Sequence, residues 1–225
     1  MAKKNVTVED QNLENVQEAL NTTTMWIEKN QKKLLIAVSA IVVLVVAVLG
    51  YNQYVVKPNQ ENINNENALA TVYFMQGNYE VALNGDSANC IGFKEIADEY
   101  TMYQGGKLAA LYTGICYFRM GQYENAAEYL KKFDAKDLNV APAALQLLGD
   151  TYVRLEDYNN AAKAFESAAK SGNKVIAPMS LRKLGFVYIE LGDKAAAKKA
   201  FETIKNEYPA SAEASDIDKY ISIAE

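Results

Sequence analysis

The sequence predicts an all-α chain. A single membrane-length apolar helix is followed by an α-solenoid of about four helix-turn-helix units and a C-terminal capping helix. Three observations carry this expectation. Residues Leu34 to Val56 contain no charge over 23 positions. Three later segments repeat one pattern of small, aromatic and apolar residues. Four prolines and 12 glycines in 225 residues leave little room for a long disordered or all-turn region.

The uncharged run comes first. At a rise of ~1.5 Å per residue it reaches ~34 Å, against a bilayer hydrocarbon core of ~30 Å. Leu34 to Leu49 is apolar on every side except at Ser39. A core helix of a soluble domain would show a polar stripe, so this run fits lipid better. Lys32 and Lys33 adjoin it, and Trp26, Tyr51 and Tyr54 stand where interfacial aromatics belong. The rival is a removable export signal, with a short basic start and an apolar region of about 7–15 residues. Here 33 residues precede a longer run, and Val48 and Gly50 fit a small-residue cleavage site only loosely. No cysteine follows closely enough to suggest lipoprotein processing. Residues 34–56 therefore read as an uncleaved anchor.

Lys29, Lys32 and Lys33 lie before the run, and only Lys57 lies after it until Lys94. The positive-inside bias makes residues 1–33 a short cytoplasmic tail and puts the C-terminal domain outside. Leu13, Val16 and Leu20 fall at helical spacing in the tail, and "NTTT" at 21–24 is expected to interrupt it. The tail reads as weakly ordered or as a small docking helix.

The soluble part repeats. The segments "LYTGICYFRMGQYENAAEYLKKF" (111–133), "QLLGDTYVRLEDYNNAAKAFESA" (146–168) and "RKLGFVYIELGDKAAAKKAFETI" (182–204) align. Gly114, Gly149 and Gly185 are 35 and 36 residues apart. Each is followed by a tyrosine (Tyr117, Tyr152, Tyr188), an alanine (Ala126, Ala161, Ala197) and a large apolar residue (Leu130, Phe165, Phe201). Each segment predicts two helices, with the turn at "RMGQY", "RLEDY" or "ELGDK". The glycine of the first helix is expected to face the alanine of the second, and the large residue to fill the gap toward the next unit. No unit buries its apolar face alone, so the units stack.

This pattern resembles the tetratricopeptide repeat (TPR) family, whose period is about 34 residues. Pro209 falls on that family's terminal proline. A degenerate first unit starts at "ENALATVYFMQGNYEVAL" (66–83). It is interrupted by an insertion near 84–92, with Phe93 and Ile96 as the displaced end of its second helix. The array thus covers 66–210. Residues 57–65 are a linker or the start of the first helix. Residues 211–225 are the capping helix, with Ser211 as its N-cap and Ile217, Tyr220 and Ile221 on its apolar face.

The resemblance implies a concave groove lined by the first helix of each unit, taking a peptide or a protein surface. The residues at those positions are Leu108, Leu111, Ile115 and Arg119, then Gln146, Asp150 and Arg154, then Arg182, Phe186 and Glu190. Arg119, Gln146, Asp150, Arg154, Arg182 and Phe186 are the candidate partner contacts. The three arginines suit recognition of carboxylates through paired donors; salt bridges within the array account for them equally well. One TPR subtype grips a C-terminal carboxylate with asparagines. Those positions here read Ile115, Asp150 and Phe186, so that clamp is not expected.

Chemistry has little support. With no histidine, the commonest general base and zinc ligand are missing. Neither a GxxxxGK[ST] nor a GxGxxG motif occurs. No catalytic residue, cofactor site or metal site is expected, and Asp86, Asp98 and Glu99 read as a solvated face. Cys90 and Cys116 lack CxxC spacing and read as independent thiols, although a disulfide is allowed outside the cytoplasm. The net charge of −5 offers no basic surface for nucleic acid. Residues 57–225 hold 18 basic and 23 acidic residues, so the domain is expected to stand off an anionic bilayer.

A short tail, one span and an outward TPR array together resemble the YfgM-like family of membrane-anchored TPR proteins, ancillary subunits of the bacterial Sec translocon. That likeness implies a single-pass protein of the bacterial inner membrane with a periplasmic C-terminal domain. It would be a non-catalytic adaptor contacting the translocon, a periplasmic chaperone or emerging secreted chains. The alternatives are a periplasmic scaffold for cell-envelope assembly and an oppositely oriented, cytoplasm-facing receptor. "IDKYISIAE" would also serve for homodimerisation.

Overall fold

The computed structural model describes residues 8–86, 90–134 and 137–225, with side chains from residue 24 onward. The chain divides after Pro58 into two compact units.

The first unit is helix α1 (Val8–Tyr51), continued by a π-helical turn over Asn52–Val56. The helix does not break at 21–24, contrary to the sequence expectation. Threonine lowers helix propensity by only a few tenths of a kcal/mol, too little to stop a long helix. The face formed by Leu13, Val16 and Leu20 lies outside the described side chains. Along the uncharged run the large apolar side chains are exposed, with no protein layer over them. Among the described residues one helix is long and apolar enough to cross a membrane.

The second unit is the repeat array. Helix α2 (Lys57–Met75) makes 57–65 helical. Its partner helix is split into α3 (Tyr79–Asn84) and α4 (Phe93–Glu99). Between them Gly85–Asp86 (β1) pairs antiparallel with Cys90–Ile91 (β2), so the described ends of the insertion form a two-stranded pair. Phe93 and Ile96 return to the core fully buried, and Phe93 stacks on Tyr112 at 4.8 Å. Three regular pairs follow: α5 (Gln104–Arg119) with α6 (Tyr123–Lys132), α7 (Val140–Arg154) with α8 (Tyr158–Ala169), and α9 (Ile176–Glu190) with α10 (Lys194–Glu207).

Every first helix ends in the same corner. The amide of Asn78 donates to Tyr73 O, Gln122 to Tyr117 O, Asp157 to Tyr152 O and Asp193 to Tyr188 O. This closure needs one residue in the left-handed region. Gly77, Gly121 and Gly192 supply it, but in the α7–α8 corner Glu156 does, at φ 57°. Asn78, Asp157 and Asp193 then cap α3, α8 and α10 through their side chains.

The packing inside each unit corrects one expectation. Ala126, Ala161 and Ala197 are fully buried, but the nearest neighbours of Gly114, Gly149 and Gly185 are Leu130, Phe165 and Phe201. The large residue lies flat on the glycine of its own unit, one helical turn beyond the alanine. A Cβ there would take the volume of the ring or isobutyl group.

The C-terminal end is closed by a 3-10 turn (Ala212–Asp216) and α11 (Ile217–Ile223). Ile217 and Ala224 cover Phe201 and Ile204. Ser211 is not the cap of this helix: its side chain caps nothing, its Oγ is buried without a partner, and α11 starts later at Ile217. The backbone oxygen of Ser211 instead accepts from Ala214 and starts the 3-10 turn.

Candidate protein-binding groove

The C-terminal halves of α7 and α9 and the start of α8 form a cavity of about 330 Å³. Val153, Tyr158, Phe165, Phe186 and Val187 supply its apolar lining, and Asp150, Lys183 and Glu190 its charges. A second hollow, lined by Phe118, Val153, Arg154, Glu156 and Tyr158, shares Asp150 with it. Helical periodicity explains the convergence: Gln146, Asp150 and Arg154 recur every fourth residue on one stripe of α7. Lys183, Phe186, Val187 and Glu190, at i, i+3, i+4 and i+7, share one face of α9.

Asp150 is held by Lys183, whose Nζ donates to both carboxylate oxygens at 2.6 and 2.7 Å. The same ammonium stands 5.8 Å from the Phe165 ring centroid. Both charges are about one-third exposed, so their mutual attraction is screened. Phe186 keeps 39% of its surface exposed while its inner face packs edge-on against Phe201 and Tyr220. The surface exposed here is therefore an aromatic edge, packed on its inner side, beside a neutralised ion pair.

The predicted contacts fall into three groups. Asp150, Arg154 and Phe186 line the two hollows. Arg119 and Arg154 are exposed at matching ends of α5 and α7, 35 residues apart, and neither has an ion-pair partner among the described residues. Arg182 faces Asp216 at 3.8 Å, tying α9 to the C-terminal turn. Gln146 is buried with its Nε2 unbonded, so it offers no surface to a partner. Lys183, Val153 and Tyr158 are groove residues that sequence reasoning missed. Lys183 sits two residues before the repeat glycine, where the other units have Tyr112 and Leu147, and its charge was the available signal.

The carboxylates Asp86 and Asp98 of the first repeat have separate partners. Asp86 accepts from the Tyr73 hydroxyl at 2.5 Å and from the Cys90 amide. Asp98 accepts from the Tyr129 hydroxyl at 2.8 Å and from Lys132 at 3.1 Å. Burial alone would raise the Asp98 pKa, but those hydrogen bonds outweigh it and hold the carboxyl below its usual range. Both cysteines are free and buried. Desolvation pushes the Cys116 thiol up to about 12, which leaves it unreactive. Among the described residues no group of three His, Cys, Asp or Glu is placed to hold a metal ion.

Tetratricopeptide repeat models match residues 108–136 and 179–211, and a second such model matches 142–171. The array is a TPR solenoid. No curated protein matches the chain in sequence. In structure it is similar to MamA, at 20% identity and a TM-score of 0.51, over 69% of this chain and 91% of that one. It is also similar to the nearly identical TPR-like repeats of a Podosopora anserina kinesin light chain candidate, in a Q17M form and in a second structure. Both give a TM-score of 0.54 at 14% identity, covering 73% of this chain and 85% or 86% of theirs. Identities this low concern the fold alone. TPR arrays are protein-interaction modules, and the α5–α7–α9 face of this one holds the hollows described above.

Proposed function

We propose that the chain is a non-catalytic adaptor, anchored in a membrane by residues 34–56, that receives a protein or peptide partner in the α7–α9 groove. The observation that carries the reading is the cavity beside Phe186: apolar, open, and walled by an internally neutralised Asp150–Lys183 pair. Such a surface suits an apolar or mixed partner segment. Arg119 and Arg154 add two cations free to meet its carboxylates.

Lys29, Lys32 and Lys33 support an orientation with the array outside the cytoplasm. The likeness in layout to the YfgM-like family supports the bacterial inner membrane. It also favours a place beside the Sec translocon, with a periplasmic chaperone or an emerging chain as partner. Tethering raises the local concentration of that partner at the membrane. Pairing of two copies through α11 would have to use Ile223, the large apolar residue of that helix left exposed.

Two measurements test this. Protease added to spheroplasts should degrade the array and spare the tail; an array cut only after lysis reverses the orientation. A photo-crosslinker at Arg154 in the full chain should then attach a translocon or chaperone component. Recovery of cell-envelope assembly proteins alone would replace the translocon assignment with the scaffold reading.

A further inference from the structure

The shared corner puts the four first helices of the array in register, and the first of them lacks the cover that the others have. In α5, Thr113 and Cys116 stand nine and six residues before the corner residue Gln122. Leu148 and Thr151 hold those two places in α7, before Asp157, and Leu184 and Val187 hold them in α9, before Asp193. All six are buried. Their neighbours come from the second helix of the preceding unit. Cys116 shares a core with Phe93 and Ile96 of α4, and Leu148 with Ala127 and Leu130 of α6. Leu184 and Val187 share one with Ala162 and Phe165 of α8. In α2 the same two places, before Asn78, are Leu69 and Val72. They are as apolar as their counterparts, yet 45% and 51% exposed. Met75 extends the exposed apolar surface to the end of α2.

Each unit of a stack buries its inner faces on its neighbours, and an end without a neighbour needs a polar face or a cap. At the C-terminal end α11 is that cap, through Ile217 and Ala224. Among the described residues the N-terminal end of the array has neither. We infer that the outer face of α2 docks a helix of a partner protein, apolar on one side and basic at its flanks, in the place of a preceding second helix. The array's own second helices supply the apolar half of this description. In α6 and α8 an alanine pair is followed three residues later by a large apolar side chain, Leu130 or Phe165. Charge supplies the other half. Glu61, Asn65 and Leu69 fall at i, i+4 and i+8 on the open face, and Glu66 borders it three residues before Leu69. Neither glutamate has an ion-pair partner among the described residues. No lysine or arginine occurs anywhere in residues 58–93. Pairing α2 with α2 of a second copy would bring like charges together, and an anionic bilayer would be repelled. A basic helix meets neither penalty. This surface is separate from the α7–α9 groove, and the inference holds with or without the anchor.

The test uses the full chain in detergent micelles. The probe is a hydrocarbon-stapled, fluorescein-labelled copy of residues 157–170, the helix that covers Leu184 and Val187. Asp157→Lys and Glu166→Lys make a basic peptide, and Lys163→Glu and Lys170→Glu make an acidic one. Fluorescence anisotropy should show the basic peptide bound about tenfold more tightly than the acidic one at low salt. In the full chain, Leu69→Asp/Val72→Asp changes two exposed side chains and should weaken the basic peptide about tenfold or more. Glu61→Gln/Glu66→Gln should weaken it several-fold and flatten its salt dependence. Phe186→Ala should leave binding unchanged. No binding of the basic peptide, tighter binding of the acidic one, or indifference to Leu69→Asp/Val72→Asp overturns the inference. Loss of binding in Phe186→Ala puts the peptide in the α7–α9 groove, which overturns the inference and spares the groove. A dimer in sedimentation that Leu69→Asp/Val72→Asp dissociates gives the face to a second copy. Quenching of Leu69→Trp by brominated lipids in vesicles, with Trp26→Phe removing the native fluorophore, gives it to lipid. Either result also overturns the inference.

Discussion

A Cβ placed on Gly149 would stand 2.5 Å from Cε1 of Phe165, so the aromatic ring lies directly on the backbone of α7. The same relationship joins Gly185 to Phe201 and Gly114 to Leu130. It sets the distance between the two helices of a unit, and with it the place of Asp150 and Phe186 in the groove. Gly149→Ala should destabilise the array. Overpacking costs ~1–3 kcal/mol, offset by up to ~1 kcal/mol from alanine's better helix propensity. In Gly149→Ala/Phe165→Leu the loss should fall short of the sum of the single losses by about 1 kcal/mol, because the pair is in contact. Circular dichroism melts of the four proteins measure the coupling; strict additivity would contradict the packing.

Glu156 predicts a gain. It holds φ 57° where the equivalent corners have Gly77, Gly121 and Gly192. A left-handed non-glycine residue costs ~1–3 kcal/mol, and glycine loses ~0.5–1 kcal/mol of that advantage through the entropy of the unfolded chain. Glu156→Gly should raise Tm, while Glu156→Ala should not. A rise with alanine would assign the effect to charge instead.

Asp98 predicts a pH dependence. Its pKa is lowered in the fold by Tyr129 and Lys132 despite partial burial. A depressed carboxylate stabilises the fold above its unfolded pKa of about 3.9, and that contribution fades as pH falls through the lower, folded value. Melts of the native chain should therefore lose Tm more steeply than Asp98→Asn as the pH drops below about 5. Parallel acid limbs would contradict the pairing.

Lys183 separates recognition from stability. Its bond to Asp150 is solvent-screened, so Lys183→Met should change stability by no more than ~1 kcal/mol. It also leaves Asp150 as a bare charge on the cavity wall. Crosslinking yield from Phe186 should fall while Tm hardly moves; an unchanged yield would remove the ion pair from the groove's function.

Much of this was legible in the sequence because each feature has its own period or composition. The glycines at 114, 149 and 185 mark close approach, and the corner signals "MGQ" and "LGD" mark turns. The uncharged run marks itself by length. What stayed hidden lacks such a mark. Glu156 carries no turn signal, since its conformation is imposed by the shared hydrogen-bonded corner. The strands Gly85–Asp86 and Cys90–Ile91 are too short for any alternation to show. The glycine's partner was misread because sequence alignment ranks Ala161 and Phe165 equally, and only packing shows which one reaches the helix opposite. Gln146 and Arg182 looked like surface by position. Neighbouring helices bury the first, and the C-terminal turn engages the second.

The central claim is that the α7–α9 face captures a protein partner at a membrane. It is tested most directly by comparing photo-crosslinkers at Phe186 and at Lys163, exposed on α8, in the full chain in native membranes. A discrete polypeptide adduct from position 186, absent at 163 and reduced by Lys183→Met, is the predicted result. The same adducts from both positions, or none from 186, would contradict it.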